Sequence, residues 1–450
     1  MAFLPWRIDR LVSRTSEGTV MEYDFDVIVV GAGVAGCVVA TALAREGHEV
    51  LLLERGTEPG SKNLSGGVFY SRVMDEVFPH FAQEAPIERV ITRNTLSLLN
   101  ATSALNVDYW DQRLASPVNA VSVLRARLDP WLAAQAEEAG VSVVSGIKVD
   151  RLLRGDTHFY GIAAGGEEMT AKVIIAADGV NSFLAQEAGV RPKQPVKHLG
   201  LGVKSVIKIG EEAVRERFNL TGGEGAAYAL VGDATMGVPG GGFMYTNRDS
   251  VSIGVVLMLE KLTESGLASS DIHDHLLRHP FTAPFLKDGE LLEYGCHLVA
   301  EGGEVMQEGI VHDGLILVGD AAGFTLNTGL TVRGMDLAAG SALAAAKAVH
   351  AALDKGDWSR LTLQAYVAEY SKTFVGKDMH TYRHAPAFLE NDPIIFGRAG
   401  QLAADIFYGV YNHDLTPRKR LAKVVLDVVK NSPVRLSELA KTGYNALRAL

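Results

Sequence analysis

Residues 27–55 read VIVVGAGVAGCVVATALAREGHEVLLLER. Val27–Val30 end a buried strand, and Gly31-Ala32-Gly33-Val34-Ala35-Gly36 turns into a helix that runs to about Glu46. A second apolar strand, Glu49–Leu53, ends in Glu54 and Arg55. The three glycines have separate jobs: Gly31 permits the tight turn, Gly33 lets the backbone approach a pyrophosphate, and Gly36 lets the helix pack close to the strand. The helix N-terminus, with Ala35 in its first turn, offers N–H groups and a positive dipole end to phosphates. Glu54 stands where a carboxylate accepts hydrogen bonds from ribose hydroxyls. A bare GxGxxG is a weak signal. Two flanking strands and an acid at the right distance make it specific for a dinucleotide-binding βαβ unit.

Two later strand ends decide which dinucleotide. Lys172–Ser182 reads KVIIAADGVNS, an apolar strand ending in Asp178-Gly179, and Gly314–Gly323 reads GLILVGDAAG, another ending in Gly319-Asp320. Each puts a carboxylate at the C-terminal edge of a parallel strand, where ligands bind in open α/β sheets. A ligand held at three such edges is long, which selects FAD over NAD, with Asp320 accepting from a ribityl hydroxyl. Gly329 to Gly340 reads as a further helix start, whose dipole suits negative charge developing at the flavin N1/C2=O region.

At 450 residues the chain exceeds one compact core, so two or three subdomains are expected. A net charge of −10 argues against general nucleic-acid binding. No apolar run reaches membrane-spanning length, and Arg7, Arg10 and Arg14 break any secretory apolar segment. The two cysteines, Cys37 (a packing residue of the first helix) and Cys296, are too few for a four-thiolate iron–sulfur cluster and suit a reducing, cytoplasmic setting.

Along the chain, residues 1–21 read as an extension in which apolar residues alternate with arginines, packed on the body, left loose or touching a membrane. Residues 22–184 and 301–350 form the two parts of the FAD-binding domain. Within the first part, 56–70 is a loop over the flavin: Gly66 and Gly67 suit close approach to the ring, and Asn63 or Ser65 stands to hydrogen-bond its edge. Pro130–Ala139 is helical, and Val141–Ser145 and Val173–Ala177 return to the first sheet. From 185 to 300, alternating strands at Gly200–Ile209, Ala226–Val231, Gly242–Asn247 and Ser250–Met258 indicate an inserted antiparallel substrate domain. There Gly242, Phe243 and Tyr245 can wall the flavin face. Residues 351–450 are helical and end in a basic tail. Arg418, Lys419, Arg420, Lys423, Lys430, Arg435, Lys441 and Arg448 stand against Asp427 and Glu438. That tail suits an anionic membrane surface or an acidic partner, or is a packed helix with a solvated basic face. His198, His297 and His312 are isolated and read as surface or structural. His273 and His275, two apart on a helix, do not share a face, so no metal site is expected. No acid–base catalyst stands out, which fits hydride or electron transfer.

Three segments, Lys62–Gly67 (KNLSGG), Val238–Asn247 (VPGGGFMYTN) and Gly319–Ala338 (GDAAGFTLNTGLTVRGMDLA), carry a resemblance. Over about residues 22–430 the chain resembles the p-hydroxybenzoate-hydroxylase-like FAD superfamily and its geranylgeranyl-reductase-like branch. These segments resemble the FixC family, relatives of electron-transfer-flavoprotein:quinone oxidoreductase. The resemblance implies an α/β fold with a Rossmann-type FAD-binding domain, an inserted sheet roofing the flavin, and Arg125 near the ribityl and pyrophosphate, with Arg127 at the surface or ion-paired. It brings Asn327, Gly329 and Leu330 of the long segment to the cofactor. It also implies electrons arriving from electron-transfer flavoprotein subunits and leaving to a quinone or a small ferredoxin. The longer quinone oxidoreductases carry a cysteine-rich cluster domain whose cysteines are missing here, so a FixX-type ferredoxin subunit would supply the cluster. The expected location is cytoplasmic, with peripheral contact at the inner face of the cell membrane as the option the basic tail leaves open. A prenyl-lipid reductase, a flavin monooxygenase and a non-enzymatic flavin scaffold are the alternatives.

Overall fold

The structure, a computed structural model, describes residues 22–61, 66–392 and 394–450. The extension 1–21 and the candidates Asn63 and Ser65 lie outside them.

The opening strand is Phe25–Val30, whose Val27, Ile28 and Val29 are fully buried. It pairs in parallel with Val50–Glu54 on one side and Glu167–Ala176 on the other, in the register Val27 to Val50 and Val27 to Val173. Ser142–Ser145 and Leu315–Leu317 extend the parallel set at either side, and Val311–His312 closes one edge antiparallel. Both faces of this sheet are covered, so its strands are continuous apolar runs rather than alternating ones. Helix Val34–Arg45 packs on it, and helix Met335–Lys355 packs on that helix. The alanines of the second helix from Ala338 to Ala348, with Ala352, are buried, and their small side chains permit the close approach.

The second sheet has nine strands. Its path runs Glu290–Ala300, Leu199–Lys208, Ser250–Met258, Gly240–Thr246, Glu224–Gly232, Ile87–Asn100, Val121–Val123 and Gly67–Phe69, with Ser103–Trp110 paired beside Ile87–Asn100. Two features differ from the expected antiparallel unit over 185–300. Four strands come from residues 67–123, and Glu224–Gly232 pairs with Ile87–Asn100 in parallel. Alternation along a strand reveals that a strand exists, not which sheet it joins. Here the joining contact spans more than a hundred residues of chain. The outer face is sealed by helices Glu211–Phe218 and Ser269–Arg278 over Val203, Phe218, Ile253 and Leu276. The inner face looks toward the first sheet.

The expected helix from Pro130 begins earlier, as Arg125–Glu138. Arg125 forks onto Asp129 with Nε to Oδ1 at 2.6 Å and Nη2 to Oδ2 at 2.7 Å, closing the first turn ahead of the proline. The C-terminal region is helical as expected, ending in Ala399–Tyr411, Leu421–Asn431 and Leu436–Ala449. Among the described residues no helix is long and apolar enough to cross a membrane.

Candidate functional site

A cavity of about 1270 Å³ lies between the C-terminal strand edges of the first sheet and the inner face of the second. That exceeds the ~300–1,000 Å³ of drug-sized ligand sites. At one end stands the glycine turn. Gly31 has φ +107°, and a Cβ there would run into the Ala177 carbonyl. A Cβ on Gly36 would collide with the Gly31 carbonyl, so Gly36 serves helix packing and does not line the cavity. A Cβ on Gly33 would meet only Arg125 Nη2, at 3.4 Å. The cavity side of residue 33 is therefore open, with Ala35 beside it. Glu54 braces the turn: Oε2 accepts from the Ala32 N–H at 3.1 Å and Oε1 from the Gly56 N–H at 2.6 Å. Arg55 lines the same end.

The middle of the cavity holds Asp178, Gly179 and Asp320. Asp178 Oδ2 accepts from the Leu184 N–H at 3.0 Å, while its buried Oδ1 has no hydrogen-bond partner among the described residues. Burial pushes the carboxyls of Asp178 and Asp320 above the usual range. Leu184 N–H opposes this at Asp178, and Arg125 and His297 oppose it at Asp320. Burial also works against charge on Arg125, but the Asp129 fork and Asp320 more than offset it. Gly319 does not line the cavity; its φ is +59°, its N–H donates to Ser341 Oγ at 3.0 Å, and a Cβ would press on Ala35.

The expected helix start after Gly329 falls at Met335, behind a short hairpin of Leu326–Asn327 and Val332–Arg333. Asn327 Oδ1 accepts from the Gly329 N–H at 2.8 Å, and Leu330 stands exposed at the tip. Gly334, Met335 and Ala338 bring the helix N-terminus to the cavity. Across from it, Gly66 leads into the edge strand that Gly67 begins, and a Cβ on Gly66 would strike Ser252. Gly242, Phe243 and Tyr245 form a wall, with the two rings stacked at 5.0 Å and 19°.

Sequence reasoning missed three groups. Lys204, on the second sheet's inner face, donates to the Gly66 carbonyl and holds Nζ 5.8 Å from the Phe243 ring centre. Burial pulls its ammonium down to about 7, with Arg125 adding to the effect and Glu293 opposing it. The signal was one lysine in the apolar run Leu199–Ile207. His297, expected at the surface or in a structural role, lines the cavity opposite Gly202; strand pairing brings it there. Glu301 is buried, pushed up to about 7, and accepts from Asn327 Nδ2 at 3.3 Å. Its Oε1 has no hydrogen-bond partner among the described residues. Arg127 pairs with Glu88 at 3.1 Å and Cys37 is fully buried, both as expected. His48, His350 and Asp354 cluster at the opposite edge of the first sheet and take no part in this cavity.

Helix N-termini, carboxylates at strand ends, and glycine and aromatic walls are the groups that suit the phosphates, sugar hydroxyls and flat ring of a flavin dinucleotide. Residues 24–211 match the FAD binding domain family. The chain is 42% identical to the probable electron transfer flavoprotein-quinone oxidoreductase YdiS of Escherichia coli K12, over 95% of this chain and 99% of that one. It is 39% identical to protein FixC of Salmonella typhi over the same shares. It therefore belongs to the FixC and electron transfer flavoprotein-quinone oxidoreductase family, and is an FAD-dependent oxidoreductase of electron transfer. Among solved structures, a geranylgeranyl bacteriochlorophyll reductase-like protein from Thermoplasma acidophilum superposes with TM-score 0.66 at 20% identity, covering 93% of this chain and 99% of that one. The flavin-dependent brominase Bmp2 gives 0.62 at 17%, covering 90% and 98%. At such identities these two likenesses concern the fold alone.

Proposed function

We propose that this protein accepts electrons from an electron-transfer flavoprotein and passes them to a quinone bound in the cavity, with a FixX-type ferredoxin as a second outlet. The observation that carries this reading is the continuity of the cavity. Its dinucleotide end runs on along the second sheet to an apolar stretch of Leu96, Ala227, Ala229, Val256 and Leu389. End-to-end likeness to relatives named for electron transfer flavoprotein and quinone supports the same reading. FAD, when bound, supplies the two-electron and one-electron chemistry. The chain's residues bind and orient it. Gly33 and the N–H groups of helix Val34–Arg45 receive the pyrophosphate, and Glu54 the adenosine ribose. Asp320, with Arg125 beside it, receives the ribityl chain. Gly66, Gly67 and Asn327 border the ring. The small residues Ala227, Ala229 and Gly242 leave width for a second flat ring. The tail is read as a peripheral membrane contact: helix Leu421–Asn431 has no buried residue, and Tyr408, Tyr411 and Leu421 are exposed beside Arg420 and Lys423.

The test is anaerobic flavin absorbance of the purified holoprotein. Reduced electron-transfer flavoprotein should bleach it and a short-chain quinone should restore it. Bleaching by NAD(P)H instead, with none from the flavoprotein, sinks the reading.

A further inference from the structure

We propose that Lys204 is the proton donor to a carbonyl-type, two-electron acceptor in this cavity. This rests on the quinone reading above and assigns the acid that such an acceptor requires.

Lys204 is held from three sides. Its strand, Leu199–Lys208, lies between Ser250–Met258 and Glu290–Ala300, and its residues 202 and 204 share the inner face. Its ammonium donates to the Gly66 carbonyl, on the loop expected over the flavin, and it lies over the Phe243 ring. Lys204 and Gly202 both line the cavity, and the Phe243 ring fills the space over Gly254, the residue paired with Lys204. Burying a charged amine in such a wall costs free energy that a leucine would not, and perturbed groups in clefts mark functional sites. The charged and titratable neighbours come from each packed element. Arg125 of helix Arg125–Glu138 opposes the ammonium, and Glu293 of the adjoining strand favours it. Asp320, His297 and Tyr245 line the same cavity. The outcome is an amine that titrates at about 7, so that acid and base forms coexist near neutrality.

The step balances. FAD, when bound and reduced, would supply the acceptor with an electron pair and one proton. One Lys204 N–H bond breaks as an O–H bond forms on the acceptor oxygen that would otherwise carry the new negative charge. The neutral amine then regains a proton from water. An iron–sulfur protein, taking single electrons, needs no such proton, so Lys204 separates the two outlets.

The experiment uses FAD-loaded wild type, Lys204→Met and Lys204→Arg. Binding to the oxidised protein is read by fluorescence quenching with 2-hydroxy-1,4-naphthoquinone, an acidic quinone that is anionic throughout. Wild type should bind more weakly as pH rises from about 6 to about 9, as the ammonium discharges. Lys204→Met should bind roughly ten-fold more weakly at the low end, without pH dependence. Lys204→Arg should stay tight across the range. In stopped flow, reoxidation of the reduced protein by a neutral short-chain quinone should slow about a hundred-fold in both variants. Reoxidation by ferricenium, a proton-free control, should proceed in both. Equal binding and equal pH profiles in Lys204→Met overturn the assignment, as does equal slowing with both acceptors, which marks a structural role. A wild type reoxidised by ferricenium but by no quinone overturns the underlying quinone reading instead.

Discussion

The carbonyl oxygen of Gly31 occupies the space that a Cβ on Gly36 would need, whereas a Cβ on Gly33 would have Arg125 Nη2 as its sole close neighbour, at 3.4 Å. Two glycines of one motif are thus required for different reasons. Gly36→Ala should destabilise the fold by about 1–3 kcal/mol, because the helix must lift off the strand. Gly33→Ala should leave the melting temperature of the flavin-free protein near wild type, since φ is −85° and any residue adopts it. It should nevertheless purify with little FAD, because the methyl projects where the pyrophosphate is to lie. Thermal melts with flavin-to-protein ratios check both. A Gly33→Ala protein that holds a full complement of FAD contradicts the placement.

Asp320 separates cofactor binding from stability in a second way. Its carboxyl is pushed upward by burial, with Arg125 and His297 opposing. A neutral side chain of the same shape therefore relieves a desolvated charge. Asp320→Asn should melt no lower than wild type without FAD. It should bind FAD roughly ten-fold or more weakly, as a charge-assisted hydrogen bond to a ribityl hydroxyl becomes a neutral one. Equal dissociation constants in a fluorescence titration would move the ribityl chain elsewhere.

Legibility follows the range of the interactions. Gly31 to Glu54, Asp178 and Asp320 were readable because each feature is local: a strand, a turn and a charged residue within a few positions. The long Gly319–Ala338 segment was readable for the same reason, although its helix starts later, at Met335, behind a hairpin the glycines did not announce. Lys204, His297 and Glu301 were not readable. Lys204 and His297 reach the cavity through strand pairing, which carries His297 to Gly202 across a sheet whose order is set by contacts far apart in sequence, and Glu301 follows directly on that strand. The strand Ile87–Asn100 shows the same limit, since nothing within it names Glu224–Gly232 as its parallel neighbour.

Glu301 makes stability depend on pH with a definite sign. Its folded value is raised from 4.5 to about 7. Between those values the native protein binds more protons than the unfolded chain, so this group's contribution falls as pH rises through that window and is lost above it. Glu301→Gln keeps an acceptor for Asn327 Nδ2 and removes the titration. Its stability should match wild type near pH 4 and exceed it near pH 8, by on the order of 3 kcal/mol. Urea titrations at the two pH values measure this. Parallel pH dependence in both proteins would show that the carboxyl does not carry the shift.

The tail calls for substitution rather than truncation. Its last helix is tied to the body: Thr442 Oγ1 donates to Asp392 Oδ2 at 2.7 Å, and Ala449 packs against Phe388 and Leu389, the latter lining the cavity. Removing residues 416–450 would uncover that packing and confuse two effects. Arg420, Lys423 and Lys430 are exposed, whereas Lys419 is engaged with Asp427 at 2.7 Å. Changing those three to Glu should leave flavin content and melting temperature unaltered. Each basic residue at an anionic membrane surface is worth about 1 kcal/mol, so binding to phosphatidylserine-containing vesicles should fall at least a hundred-fold. Wild-type binding should weaken as salt rises, since the Debye length contracts. Co-sedimentation that is equal for variant and wild type, or insensitive to salt, would leave the basic face as a solvated surface.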